Sequence, residues 1–198
     1  MKVVHEELVI DAGGVGATKE FASFRQEIYD AVSKIVWPSG SSEFSIYPGK
    51  HANGVGPIKS AFVQHLVDLG WKGEERIDLA VTKKQPGALD VVSYAAGKPF
   101  AVEWETGNVS SSYRALNKLS IGIMRGILLG GALVVPSGNL YPYLTDRVGN
   151  YPEIEPYFYL YERLPVESGV LVVIVVEHDS TSHESSKIVK GTDGRALR

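Results

Sequence analysis

From Lys19 to Val36 the apolar residues fall at Phe21, Phe24, Ile28, Val32 and Ile35. Spacings of three and four put them on one stripe of an amphipathic helix. Trp37-Pro38 closes that helix, because the residue before a proline avoids helical backbone. The Ser, Gly and Pro-rich stretch from Ser39 to Gly56 predicts a loop holding one small strand, where Phe44 and Ile46 alternate. Pro57 suits the start of a second helix, with Ile58, Phe62, Leu66 and Leu69 as its buried stripe and Gly70 as its stop. Three strands are expected next, at about Ile77 to Val81, Leu89 to Tyr94 and Phe100 to Glu105, the last two forming a hairpin. Leu116, Leu119, Ile123 and Ile127 return to helical spacing and predict a long helix from Ser110 to about Leu129. Ala132 to Val135 and Leu171 to Val176 are almost wholly apolar, as in interior strands covered on both faces. Leu140 to Arg163, rich in Tyr and Pro, predicts irregular structure with a short helix, and the polar run His178 to Ser186 predicts a mobile segment.

Composition narrows the class. A chain of 198 residues with 44% hydrophobic content suits one globular domain over residues 1–198. There is no cysteine, so disulfides and thiolate metal sites are excluded, and a reducing cytoplasm is the expected location. The longest apolar run, Val170 to Val176, is too short to span a bilayer, and no membrane partner is expected. A net charge of −3 argues against a protein that coats nucleic acid unspecifically. It is compatible with a specific binder whose carboxylates gather around metal ions while a local basic cleft meets phosphate.

The candidate chemistry lies in Phe100-Ala101-Val102-Glu103-Trp104-Glu105. The period of two puts Phe100, Val102 and Trp104 on one face and both glutamates on the other. Hairpin pairing would bring Asp90 to them, giving three carboxylates whose mutual repulsion calls for a cation. A hard divalent ion with oxygen ligands, typically magnesium, relieves it, and phosphodiester hydrolysis commonly needs such a cluster. The arrangement is similar to a PD-(D/E)xK nuclease signature with Glu in place of the Lys. On spacing alone the match is weak, and a solvated hairpin face is the favoured reading.

The residues that follow widen the match. Glu103 to Ser111, then Arg114 and Asn117-Lys118-Leu119, resemble the active-site strand and recognition helix of the BamHI-type type II restriction endonucleases. Trp37-Pro38, Asn53-Gly54-Val55, Pro57-Ile58-Lys59, Leu144 to Val148, Glu155 to Phe158 and Lys190 to Gly194 agree in order. The resemblance implies an α/β core with a central mixed β-sheet flanked by helices, acting as a homodimer on double-stranded DNA at the palindrome GGATCC. It implies that Asp90 bridges two Mg²⁺ ions, that Glu103 shares in binding them, and that the Trp104 carbonyl adds a ligand. Glu74 would hold one ion or orient the attacking water. Glu105 would be the general base. The spacing from Glu74 to Asp90 is one residue shorter than in the BamHI pattern, and the turn between Asp90 and Glu103 is shorter as well. The chain stops soon after Gly194, where that pattern continues into a helix that adjusts the dimer.

Counting along the predicted helix puts Ser110 and Arg114 opposite its buried stripe. Asn108, Ser110 and Arg114 have the chemistry to read a major groove, since Asn pairs with adenine and Arg bridges the guanine acceptors. The resemblance assigns base contacts to these three, to Asp146 and Arg147 on one G·C pair, and to Lys59. It also places Gly191 and Asp193, in the basic arm 187–198, in the minor groove. Each has a plainer alternative: helix capping for Asn108 and Ser110, solvated charge for Arg114 and Arg147, a cap for Asp146, an ordinary terminus for the arm. Two other enzyme or binding classes stay open: a nuclease of the same core that cuts by DNA structure, and a noncatalytic DNA-binding relative. Gly13 to Lys19 lacks the order of a phosphate loop and reads as a flexible linker, and His178 with His183 lacks helical metal spacing.

Overall fold

A computed structural model of the chain describes residues 1–79 and 87–191. In chain order its elements are β1 (Lys2–Ala12), α1 (Lys19–Ser33), β2 (Ser45–Ile46), α2 (Gly56–Asp68), β3 (Lys72–Glu75), β4 (Leu89–Ala95) and β5 (Lys98–Trp104). They continue with α3 (Val109–Met124), β6 (Gly130–Pro136), α4 (Tyr151–Ile154), α5 (Phe158–Tyr161), β7 (Gly169–Glu177) and β8 (Ser180–Thr181). Six strands build one sheet in the order β1-β7-β6-β5-β4-β3. The β5-β6-β7 neighbours are parallel and the other pairs antiparallel, so the sheet is mixed, as expected. No helix among the described residues is long and apolar enough to cross a membrane.

The alternation of β5 decides which helices cover which face. Phe100, Val102 and Trp104 pack toward α1 and α2, with Phe100 stacked on Phe24 at 4.9 Å and Trp104 tilted against Phe62 at 4.7 Å between ring centroids. Ala101 and the intervening positions of β6 and β7 pack under Leu116, Leu119 and Ile123 of α3. Every residue of β6 is buried, because both faces of the strand are covered. The hairpin of β4 and β5 turns through Ala96 and Gly97, both with positive φ, which is the backbone a two-residue hairpin loop needs.

Several expectations are corrected. Residues 2–12 form the edge strand β1, which the periodicity does not reveal because two register shifts against β7 break its alternation. Gly13 to Lys19 is not a loose linker: Val15 is buried in a short 3₁₀ turn and the Thr18 hydroxyl caps α1 by accepting from Phe21 N. The strand expected at Ile77 to Val81 lies instead at Lys72–Glu75; residues 77–79 are irregular, and the remainder falls outside the described residues. Leu69 is half-exposed rather than buried, since α2 ends at Asp68 and the chain turns at Gly70 with φ 98°. α3 ends five residues earlier than expected, because Gly126 adopts positive φ just beyond its C-terminus. The run after Glu177 is not loose either, as β8 pairs in parallel with β2.

Candidate active site

The site opens where two sheet neighbours part. Pairing of β4 with β5 runs from Ala95↔Lys98 to Val91↔Val102 and stops there. Two residues further along β5, Trp104 N–H donates to Oδ2 of Asp90 at 2.8 Å, so a side chain takes the place of a ladder carbonyl. On the other side of β5, Glu105 N–H still donates to Val134 of β6 at 3.0 Å. The N–H and C=O of one strand residue point to the same side, which directs the Trp104 carbonyl toward the parted strand and Asp90.

Asp90, Glu103 and Glu105 line one open cleft of about 870 Å³, with Ser110, Arg114 and Lys118 of α3 on its opposite wall. The trio expected from sequence is therefore brought together. Glu74, in β3 with φ 50°, borders a separate opening of about 400 Å³ with Lys59 and Asp90, so Asp90 alone of the four carboxylates faces both. Glu103 is 4% exposed. Its burial, reinforced by the charges of Asp90 and Glu105, pushes its carboxyl up to about 7 against the pull of Lys118. Burial also raises Glu105, with Asp90 adding to the shift and Lys59, Arg114 and a backbone hydrogen bond from Gly107 opposing it.

Two ammonium groups hold this cluster. Lys59 Nζ donates to Asp90 Oδ1 at 2.8 Å. Lys118 Nζ makes a direct ion contact with Oε1 of Glu103, a buried oxygen with no hydrogen bond of ordinary geometry, and also donates to Ala88 O at 3.2 Å. Among the described residues no three carboxyl or imidazole groups already enclose an ion. The donor set nevertheless fits a hard divalent cation: the oxygens of Asp90, the buried Glu103 oxygen that Lys118 now neutralises, and the Trp104 carbonyl directed toward Asp90. Lys118 was given no role by sequence reasoning, although Ser110, Arg114 and Lys118 recur every four residues on one helix face.

Next to the cleft, a pocket of about 380 Å³ joins the N-terminus of α3 to the segment 145–148 and includes Asn108, Ser111, Asp146 and Arg147. Asn108 does cap the helix, its Oδ1 accepting from Ser111 N at 3.2 Å, while its amide nitrogen has no hydrogen-bond partner among the described residues. Arg114 is exposed and leans on Ser111 Oγ at 3.2 Å. Gly149 N–H donates to Gly107 O at 2.8 Å and so ties the two halves of the pocket. Asp146 and Arg147 are both exposed, Arg147 with φ 69°. Gly191 is exposed, and Asp193 lies outside the described residues.

The chain matches the family model for restriction endonuclease BamHI over residues 1–195. It is 42% identical over 198 residues, all of both chains, to the type II restriction enzyme OkrAI of Oceanobacter kriegii. It is 35% identical over 179 residues to the type II restriction enzyme BamHI of Bacillus amyloliquefaciens, covering 87% of this chain and 82% of that one. In fold it is similar to the restriction endonuclease BglII solved with a DNA 16-mer, with a TM-score of 0.62 at 12% identity over 90% of this chain and 79% of the other. With a sheet that parts beside three carboxylates lining one cleft and a sequence match along nearly its whole length, the chain belongs to the BamHI family of type II restriction endonucleases.

Proposed function

We propose that the protein is a Mg²⁺-dependent endonuclease that hydrolyses both strands of duplex DNA at a palindrome, GGATCC by its resemblance to the BamHI pattern. The observation that carries this reading is the cleft in which Asp90, Glu103 and Glu105 face Ser110 and Arg114, so that cutting and reading groups share one wall-to-wall space. Asp90, Glu103 and the Trp104 carbonyl would hold two Mg²⁺ ions, with Glu74 reaching one of them from the second opening. Bound there, magnesium supplies Lewis-acid stabilisation of the charge that develops on the phosphate. Glu105 stands at the lip of the cleft with a raised carboxyl affinity for protons, which suits it to accept the proton of the attacking water. Lys59 and Lys118 neutralise Asp90 and Glu103 in the free protein, and metal ions held by those carboxylates would take over that role, freeing Lys59 for the DNA contact the resemblance gives it.

Arg114, Asn108 and Ser110 at the start of α3 read bases from one side of the pocket, and Asp146 with Arg147 read a G·C pair from the other, Asp accepting from cytosine and Arg donating to guanine. The arm 187–198, with Gly191 and Asp193, follows the minor groove. A palindrome calls for two-fold symmetry in its reader. The surface of α3 and α5 suits that need, since Leu160 is 62% exposed and Met124 39%, beside a hollow that includes Ile121 and Leu164. We place the homodimer contact there.

The test is to incubate the protein with plasmids of known sequence, with Mg²⁺ or with chelator, and to map the ends. Mg²⁺-dependent double-strand cuts confined to GGATCC are expected. Cutting at branched or damaged DNA without sequence preference would replace this reading with a structure-specific nuclease, and binding without cleavage would replace it with a noncatalytic reader.

A further inference from the structure

Asn53 lies in the loop before α2 and is completely buried, yet every polar group it owns is used. Its side-chain amide donates to Tyr47 O at 2.9 Å and to Tyr143 O at 3.0 Å. Its side-chain oxygen accepts from Ile188 N at 3.2 Å. Its backbone N–H also donates to Tyr143 O at 3.0 Å, and its carbonyl accepts the Thr145 hydroxyl at 3.1 Å. The next residue repeats the link, because Gly54 N–H donates to Ile188 O at 2.8 Å. A Cβ at Gly54 would collide with the Val189 carbonyl, so the chain at 188–190 lies flat on this loop. His51 adds a second clasp on the same side, with its N–H on Pro142 O at 2.8 Å and Nδ1 on Leu144 O at 3.1 Å.

Two remote segments thus meet on one residue. One is 143–145, which runs directly into Asp146 and Arg147. The other is 188–190, the root of the C-terminal arm. Burial makes the link stiff: a buried amide that loses a partner leaves an unsatisfied group, so the contacts hold or fail together.

We propose that Asn53 is a positioning residue that makes the Asp146-Arg147 segment and the root of the C-terminal arm one mechanical unit, so that a shift in either is felt by the other. Its consequence for DNA rests on the base-reading role given above to Asp146 and Arg147: the major-groove reader and the arm would dock in a fixed relation.

Two substitutions break the link from opposite ends. Asn53→Asp keeps the oxygen that accepts from Ile188 and loses both donations to Tyr143 and Tyr47. Gly54→Ala pushes on Val189 and leaves the Asn53 amide intact. Amide hydrogen exchange on the full chain without DNA reads the coupling. N53D is expected to speed exchange at 188–190, and G54A at 143–148, each by about tenfold, with α3 unchanged. Acceleration confined to the substituted end in both variants would overturn the proposal. Should N53D fail to fold, Thr145→Val removes a single bond to Asn53 with little change of shape, and faster exchange at 188–190 is again expected, its absence again being fatal.

Cleavage then separates the coupling from the reading. G54A is expected to lower the preference for the cognate site over sites altered at the G·C pair by about tenfold, as for one weakened base contact. Asp146→Ala serves as the control. If D146A keeps full discrimination while the exchange coupling is observed, the base-reading assignment falls and the mechanical unit stands.

Discussion

Asp90 accepts the Trp104 backbone N–H on Oδ2 while its other oxygen takes the Lys59 ammonium, both at 2.8 Å. One carboxylate therefore finishes the sheet ladder and faces the site. The bond to Trp104 holds β5 in line just where β4 diverges from it, and this sets the direction of Glu103 and Glu105.

Asp90→Asn retains an oxygen for Trp104 N–H and removes the negative charge. Lewis-acid stabilisation is worth several kcal/mol, so Mg²⁺-dependent cleavage is expected to fall by a factor on the order of 10³, with the melting temperature little changed. Cleavage within about tenfold of the parent would take Asp90 out of the metal set.

Glu103 gives the free protein a pH signature. Its carboxyl is raised to about 7 in the folded state, against an ordinary value of 4.5. Between those two values the folded chain binds the proton that the unfolded chain has lost, so stability declines as pH rises from about 4.5 to about 7 and stays lower above it. In chelator, Glu103→Gln should therefore melt higher than the parent at pH 8, with the gap closing toward pH 5 in a series of thermal melts. A gap that is constant across pH would contradict the assignment. Because a metal ligand must be ionised, Mg²⁺ or Ca²⁺ affinity should also rise through pH 7.

Lys118→Met tests the internal counter-ion. With its ammonium gone, the buried Glu103 loses its partner, and the metal-free protein should lose about 1–3 kcal/mol at pH 8. Ca²⁺ titration by calorimetry should show tighter binding, because the ion no longer competes with a lysine. Weaker Ca²⁺ binding would instead make Lys118 a supporter of the metal site.

Arg114→Ala and Asp146→Asn are expected to lower cleavage of the cognate site by about 1–3 kcal/mol each, and to relax preference at one base pair apiece. Competition between cognate and singly altered oligonucleotides measures this. Uniform loss across all sequences would mean that the residue meets phosphate.

Leu160→Asp puts a charge on the exposed apolar surface of α5 without touching the cleft. Sedimentation equilibrium should shift from dimer toward monomer, and double-strand cutting should fall more than nicking. An unchanged dimer would move the interface elsewhere.

Local pattern along the chain was enough to find α1, α2, α3 and the β4–β5 hairpin, whose repeats report their exposed and buried sides, and β6 and β7, whose unbroken apolar runs report burial on both faces. The grouping of Asp90 with Glu103 and Glu105 was legible for the same reason, since hairpin register follows from a short turn. Strand β1 was not legible, because bulges erase its alternation and its identity comes from β7, far along the chain. Nor were β8 or the shift of β3 to Lys72–Glu75, as short strands take their edges from partners rather than from their own residues. Only the tertiary structure decided that β4 leaves β5 at Val91, that Glu74 faces a different opening from Glu103, and that lysines from two helices neutralise the carboxylates. Those relations join residues with no shared local period, and their energy arises from burial and charge that exist only once the sheet and its helices have packed.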